Sequence, residues 1–327
     1  MSDSLFDGLK VLDVGSWIAG PVAGTILADY GADVIKIEMP GPGDAYRNLS
    51  GMAIVPQAST NYMWDMDARN KQSLSLNLKT EEGIKILHRL IEQCDVYITN
   101  QPFPLRDRLN LNYEDIKSLN PSMIYASLSA YGEAGPDKDR ESFDLVAYWA
   151  RTGLADLVRD SDAFPAPALP GMGDHPSAVT LYASIVTALL KRERTGKGAM
   201  VHTSLLANGL WSASCIAQAA FVGGDYSQYR ELASKRRFPR TMLGTADERH
   251  FIMSMVRTPE EVASLLASLG LSGLLQDEHF KTPEARFTNN DLFYDALQAR
   301  MLMEPAAHWQ RQFEHHKVPA YLVGRIE

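Results

Sequence analysis

The chain has 327 residues, 45% of them hydrophobic and 22% charged, a composition typical of a globular protein with about two domains. Its net charge of -8 at pH 7 argues against a general nucleic-acid-binding protein, which needs a basic surface. The sequence contains no bilayer-spanning apolar run, no signal peptide and no metal-binding motif, which predicts a cytoplasmic protein without membrane or nucleic-acid partners. Two cysteines, Cys94 and Cys215, are too few for a disulfide framework and are predicted to be small buried residues.

Short strands and helices alternate through the first two hundred residues. Strands are predicted over residues 10–14 and 34–38, joined by a helix over 21–30, and this βαβ unit implies a parallel pair with a right-handed crossover. Further elements are predicted as strands at 73–78, 95–99 and 123–129 and as helices at 80–93, capped by Thr80, and 112–119. The alternation predicts the α/β class, with a doubly wound parallel sheet.

The remainder of the chain has a different pattern. Residues 201–222 are predicted to be mainly helical, and Gly223-Gly224-Asp225 predicts a turn at a domain boundary. Beyond this turn, a hairpin over 241–255 and helices at 259–269, 292–301 and 306–316 are predicted. We therefore expect a large α/β domain over residues 1–222 and a smaller α+β domain over 223–327.

An aspartate flanked by glycines begins a long predicted helix. The segment is Gly171-Met172-Gly173-Asp174-His175-Pro176, and apolar residues recur behind it at helical spacing. Because a helix N-terminus carries a partial positive charge, we expect it to hold the Asp174 carboxylate ionised, and small neighbours let a substrate approach. Asp174 is thus a candidate nucleophile. The alternative is a simple helix N-cap, a role that aspartate fills far more often.

The first βα turn has some features of a dinucleotide-binding site. Such a site needs the spacing G-x-G-x-x-G and an acidic residue at the end of the second strand. Glu38 meets the second condition, but Trp17 stands where a glycine should admit a pyrophosphate, and Pro21 removes a helix N–H. A nicotinamide-dependent dehydrogenase is therefore disfavoured, although Ala19-Gly20 still offers a shelf of small residues to a ligand.

Motifs distributed along the whole chain carry a resemblance to a known family. They are Leu12-Asp13-Val14, Ala19-Gly20-Pro21, the run 31–38, Asn70-Lys71, the run 73–79, Asn100, Arg108-Leu109, Asn120-Pro121, Tyr125-Ala126-Ser127, Tyr131-Gly132, Gly135-Pro136, Gly173-Asp174 and the run 194–198. In this order and spacing the chain resembles the family III CoA-transferases, a family that includes formyl-CoA transferase, the carnitine CoA-transferases and the α-methylacyl-CoA racemases.

The resemblance implies an acyl-CoA:carboxylate CoA-transferase in which Asp174 is the catalytic residue. It implies an anhydride and then an aspartyl-CoA thioester on Asp174, with acyl-CoA as substrate, no permanently bound cofactor, and a homodimer that can be interlocked. The positions that match the family's CoA contacts are Ile18, Ala19, Leu76, Asn100, Gln101, Leu105 and Arg108. Arg108 is the candidate phosphate contact; the alternative is an exposed helix arginine paired with Asp107 or a neighbouring acid.

Departures from the family pattern leave other functions open. The racemases have a histidine where this chain has Phe143, which precedes Asp144 and cannot move a proton, so racemisation is disfavoured. His175 is either a base or a residue that shapes the helix entry or contacts substrate. Ile18 and Met39 replace a polar and a basic residue of formyl-CoA transferase, which argues against formyl and oxalyl substrates.

The end of the chain bears on a further alternative. Family members continue beyond the position of Ala320, whereas this sequence ends at Glu327. The expected small domain therefore lacks the segment that returns to the large one. A truncated, non-catalytic acyl-CoA-binding protein is the corresponding alternative function.

Overall fold

A computed structural model describes residues 4–159, 163–233 and 235–326. The described residues up to Arg159 and from Phe164 to Gly224 form one compact unit, and those from Asp225 onward, with Ala163, form a second. Among the described residues, no helix is both long and apolar enough to cross a membrane. The same residues contain no cluster of three side chains suited to a metal ion.

The first unit is built on a six-stranded sheet. Its strands are β1 (Lys10–Asp13), β2 (Asp33–Glu38), β3 (Gln72–Ser75), β4 (Val96–Thr99), β5 (Ile124–Ser129) and β6 (Ala199–Ser204). Its helices are α1 (Ala19–Asp29), α2 (Tyr62–Asp67), α3 (Glu81–Ile91), α4 (Phe103–Leu109), α5 (Tyr113–Ile116), α6 (Leu154–Leu157), α7 (Asp174–Thr195) and α8 (Leu205–Phe221). A 3-10 turn (Ala45–Gly51) and a π-helical turn (Leu145–Ala150) complete it.

The strand order is β3-β2-β1-β4-β5-β6, and every pair is parallel. Val11 of β1 lies beside Val34 of β2 on one side and Val96 of β4 on the other. The chain therefore changes direction across the sheet between β1 and β4, and open α/β sheets bind ligands at the carboxyl ends of the strands at such a point. The predicted α/β class with a doubly wound parallel sheet is confirmed.

Both faces of this sheet are covered. One hydrophobic cluster contains Val11, Ile98 and Ala126 together with apolar residues of α1 and α7. Their strand neighbours Leu12 and Tyr97 point to the opposite face, into a cluster that includes apolar residues of α3. Side chains alternate between the two faces, and both faces are covered by helices. Successive residues of the strands are therefore apolar, without the apolar-polar alternation of a half-exposed sheet.

Local differences from the sequence expectations have identifiable causes. Residues 199–204, predicted partly as helix, form β6 because they pair along their length with β5. The strand expected over 73–78 ends at Ser75, whereas Thr80 caps α3 as predicted, accepting a hydrogen bond from the Gly83 N–H. Cys94 is buried, but Cys215 lies exposed on α8, so that part of the prediction is wrong.

The second unit is smaller. It contains α9 (Ser227–Ala233), β7 (Leu243–Gly244), β8 (His250–Ile252), α10 (Pro259–Ser268), a 3-10 turn (Ser272–Gln276), α11 (Pro283–Thr288), α12 (Asn290–Met301), α13 (Ala306–His315) and β9 (Tyr321–Leu322). β7 and β8 form the expected antiparallel hairpin, and β9 pairs antiparallel with β8. Leu265, Leu297 and Trp309 are fully buried in its hydrophobic core.

Candidate active site

A cavity of about 480 Å³ opens beside the carboxyl ends of β1, β4 and β5. It is lined by seven of the eight residues singled out in the sequence: Ile18, Ala19, Asn100, Gln101, Leu105, Arg108 and Asp174. The eighth, Leu76, follows β3, and its side chain is buried in the cluster on the α3 face of the sheet. The fold thus gathers residues from separate βα turns into one site at the topological switch point.

Asp174 is the first residue of α7. The preceding Gly173 occupies the N-cap position, and no side chain forms a cap hydrogen bond there. The alternative that Asp174 merely caps the helix is therefore wrong. Its side chain is instead buried, with the residue 9% exposed, and it lines the cavity.

The protonation of Asp174 differs from the sequence expectation. Burial, followed by the nearby negative charge of Asp144, raises the pKa of the Asp174 carboxyl from 3.8 to about 7, while His175 opposes the shift. Desolvation disfavours the charged form of a carboxyl group. With a pKa of about 7, the ionised and the neutral form of Asp174 are both populated near neutral pH, whereas the helix start alone predicted an ionised group.

A network of backbone contacts fixes the loop that presents Asp174. The Gly173 N–H donates to Asp144 Oδ2 at 2.9 Å, and the Gly173 carbonyl accepts from Ser177 Oγ at 2.7 Å. A Cβ at position 173 would lie 2.6 Å from Tyr148 Cγ and 2.9 Å from the Asp144 Cβ. Gly173 is therefore required by close packing, and Asp144 is a positioning residue for the loop.

His175 is held on two sides. Its Nδ1 lies 2.9 Å from the Gly171 carbonyl oxygen, and its Nε2 lies 2.9 Å from Asp67 Oδ1. The other carboxylate oxygen of Asp67 accepts a hydrogen bond from the Tyr46 hydroxyl at 2.6 Å. The hydrogen bond to Asp67 is the largest cause that raises the pKa of His175.

Contacts with Asp44 and Lys36 stabilise the loop after β1. Trp17 has a left-handed backbone, with φ of 65°, and its N–H donates to Asp44 Oδ1 at 3.0 Å. The buried Lys36 pairs with Asp44 at 2.9 Å and donates to the Gly15 carbonyl. This charge pair stabilises a conformation that is costly for a bulky residue.

Asn100 has a role that its position at a strand end did not reveal. Its Oδ1 accepts from the Ser16 N–H at 2.8 Å, and its Nδ2 donates to the Ser16 carbonyl at 2.7 Å. A Cβ at Gly15 would approach Asn100 Oδ1 to 2.9 Å. The amide therefore ties the β1 loop to the end of β4.

Exposed cations line the same cavity. Arg108 forms no ion pair among the described residues, and Asp107, its suggested partner, instead accepts from the Asn112 side chain. Lys138 and Arg140 also line the cavity, although the sequence reasoning missed them. They lie in the run 137–141, where acidic and basic residues alternate. This run therefore has no excess of basic residues that would have indicated a phosphate site.

Two aromatic side chains form an apolar part of the cavity wall. Trp17 and Phe143 meet edge to face, with their ring centroids 5.3 Å apart. Phe143 is 57% exposed, so a ligand can reach its ring. No histidine is found among the described residues that line this cavity. Phe143 thus lines the cavity at the position where the racemases have a histidine.

Comparison with known proteins yields one consistent family. Residues 6–327 match the family described as CoA-transferase family III. The (R)-2-hydroxy-4-methylpentanoate CoA-transferase of Clostridioides difficile is 29% identical over 96% of this chain and 78% of its own length. The human succinyl-CoA:glutarate CoA-transferase is 31% identical over 96% of this chain and 70% of its own length. A CAIB/BAIF family protein from Brucella suis superposes with a TM-score of 0.84 at 27% identity, covering 100% of this chain and 85% of the other.

Proposed function

This chain belongs to CoA-transferase family III and is a transferase enzyme, and we propose that it moves CoA from an acyl-CoA donor to a carboxylic acid through covalent intermediates on Asp174. The observation that carries the proposal is the placement of Asp174. It is a buried carboxyl group without a capping role, in the cavity that holds seven of the eight positions matching the family's site.

The proposed reaction begins when a carboxylate oxygen of Asp174 attacks the thioester carbonyl. A C–O bond forms, the C–S bond breaks, and a mixed anhydride and CoA thiolate result. The thiolate then attacks the aspartyl carbonyl, which releases the donor acid and leaves an aspartyl-CoA thioester. The acceptor carboxylate attacks this thioester, and the freed thiolate attacks the acyl carbonyl of the new anhydride. The new acyl-CoA departs, Asp174 regains its carboxylate, and no proton or electron is consumed.

The surroundings of Asp174 suit these intermediates. Its burial limits access of water, which otherwise hydrolyses an anhydride. A carboxylate with a raised pKa is a stronger nucleophile than an ordinary one, and a pKa of about 7 still leaves the ionised form available near neutral pH. The hydrogen bond from Gly173 to Asp144 holds the attacking group in place.

We propose that the transferred acyl groups are apolar, branched or aromatic. The rings of Trp17 and Phe143 and the side chain of Ile18 supply apolar surface in the cavity that contains Asp174. One relative, 30% identical, is the cinnamoyl-CoA:phenyllactate CoA-transferase of Clostridium sporogenes. An aromatic wall of this kind stacks favourably against a planar acyl group.

We propose that the CoA chain contacts Ile18, Ala19, Gln101 and Leu105, with its phosphates near Arg108. Asn100 ties the β1 loop to the end of β4 and also lines the cavity. Contacts of Asn100 and Leu76 with CoA stay predictions. The family resemblance further supports a cytoplasmic homodimer without a permanently bound cofactor.

We expect mass spectrometry of the full chain, incubated with cinnamoyl-CoA, branched-chain acyl-CoAs, succinyl-CoA and acetyl-CoA, to detect a covalent CoA adduct. Peptide mapping should place the adduct on Asp174, and Asp174→Asn should lack it while retaining CoA binding. Adduct yield should be highest with the apolar donors. Binding of every donor without an adduct would contradict the proposal, and deuterium exchange next to the thioester would then indicate a racemase.

Substitution of Arg108 tests the phosphate contact. We expect Arg108→Gln to raise the KM for acyl-CoA about tenfold, the cost of one charge-assisted hydrogen bond, with little change in kcat. Arg89→Gln, on the exposed surface of α3, is the matched control and should leave both parameters unchanged. An unaltered KM in Arg108→Gln would place the phosphates elsewhere.

A further inference from the structure

We infer that His175 is a positioning residue that carries both ring protons, and that its positive charge keeps Asp174 available as a carboxylate near neutral pH. The protonation state follows from the contacts of the ring and does not depend on the proposed function. The effect on Asp174 rests on the proposed function, because it matters only where Asp174 is the nucleophile. In either case His175 does not act as the proton-transferring base considered from the sequence.

Both ring nitrogens of His175 face hydrogen-bond acceptors. The Gly171 carbonyl oxygen, 2.9 Å from Nδ1, can only accept a hydrogen bond. Asp67 Oδ1, 2.9 Å from Nε2, belongs to a carboxylate whose second oxygen already accepts from Tyr46. A neutral imidazole carries one N–H, so it would leave one lone pair directed at an oxygen. Both contacts are satisfied when the ring is an imidazolium.

The proton on Nε2 belongs to histidine rather than to Asp67. An unperturbed histidine has a pKa about two to three units above that of aspartate, so a shared proton favours the imidazole. The contact with Asp67 also raises the pKa of His175. The pair is therefore a charge-assisted hydrogen bond between an imidazolium and a carboxylate.

The chain builds this arrangement into the loop before α7. Gly171 has a φ of +80°, which favours glycine, and a Cβ there would lie 2.8 Å from the His175 ring. The ring therefore lies directly against the loop backbone, over a position without a side chain.

The charges around this ring explain what an imidazolium contributes. His175 directly follows Asp174 in the first turn of α7. Burial, then the negative charge of Asp144 at the start of the π-helical turn, and then that of Asp67 of α2 raise the pKa of Asp174. The charge of His175 lowers that pKa and so opposes them. Tyr46 faces Asp67 with its hydroxyl. The other charged groups that line the cavity are Arg108, Lys138, Arg140 and Glu141, all of them exposed. If the ring were neutral, the charge of His175 would no longer offset the negative charge of the Asp67, Asp144 and Asp174 carboxyl groups.

The protonation state can be measured without any reaction. In the full chain labelled with 15N-histidine, the signals lost in His175→Gln identify His175. We expect both of its ring nitrogens to be protonated at pH 7.5, and Asp67→Asn to convert the ring to a neutral tautomer at that pH. A neutral ring in the wild-type protein, titrating like free histidine, would overturn the inference whatever the catalytic activity.

The effect on Asp174 is tested by the pH dependence of adduct formation. We expect His175→Gln, which retains an N–H donor but no charge, to shift the acidic limb upward by about one pH unit. The control is His202→Gln, at an exposed position on β6, which should leave the profile unchanged. A reduced rate with an unshifted limb would contradict the charge role. Absence of any adduct in the wild type would instead contradict the proposed function, and the 15N result would stand separately.

Discussion

Asp174→Asn is expected to abolish CoA transfer, lowering kcat by about 10⁴-fold or more. The amide is neutral, so position 174 can form neither the anhydride nor the aspartyl-CoA thioester. The amide has nearly the shape of the carboxyl group, so CoA binding should persist. The measurement is the rate at which product acyl-CoA appears with saturating donor and acceptor, compared with Asp156→Asn on the exposed surface of α6. Transfer by Asp174→Asn at a substantial fraction of the wild-type rate would exclude a covalent role for this residue.

The same substitution should stabilise the fold above neutral pH. The pKa of Asp174 is about 7 in the folded protein and near 3.8 when unfolded, so the folded state binds the proton more tightly. Ionisation of Asp174 therefore lowers the free energy of unfolding. The full cost applies above pH 7, and it decreases progressively toward pH 4. We expect Asp174→Asn to raise the free energy of unfolding by about 2 kcal/mol at pH 8, and by less at pH 5. Urea unfolding at both pH values, with Asp156→Asn unchanged, checks the sign; a loss of stability at pH 8 would contradict it.

The fold could be predicted from the sequence where the signals are local. The alternation of strands and helices indicated the doubly wound sheet, and Thr80 marked the start of α3. The sequence did not predict β6 because no glycine or proline separates its residues from α8. Its strand conformation depends instead on pairing with the distant β5. Cys215 is exposed on α8, which its residue type and the predicted helix did not reveal.

The candidate site was likewise predictable from the sequence only where its signals are local. The glycines around Asp174 and the helix behind it placed the candidate nucleophile correctly at a helix start. Its pKa depends on burial and then on the charges of Asp144 and Asp67, which come from distant parts of the sequence. The contact between His175 and Asp67 joins residues 108 positions apart, so no motif contains it. Asn100 likewise supports the β1 loop through a contact between two strand ends.

Gly173→Ala is the second substitution with a large expected effect, because it moves the nucleophile without changing any reacting group. The new Cβ would lie 2.6 Å from Tyr148 Cγ and 2.9 Å from Asp144 Cβ. Tyr148 cannot easily retreat, since it is buried and its hydroxyl is hydrogen-bonded to Ser212 at 2.6 Å. The strain should therefore be relieved by displacing the loop, which weakens the bond from Gly173 to Asp144 and shifts Asp174.

A displacement of this kind should lower kcat by about 10²-fold or more, because a nucleophile misplaced by about 1 Å loses most of its near-attack geometry. The KM for acyl-CoA should change little, since Arg108 and the β1 loop lie on other elements. Gly51→Ala is the matched control, because its added Cβ would meet nothing within 4 Å. Urea unfolding separates misplacement from loss of fold. A folded Gly173→Ala protein with normal kcat would mean that the loop tolerates the extra carbon and that Asp174 does not depend on the hydrogen bond to Asp144 for its position.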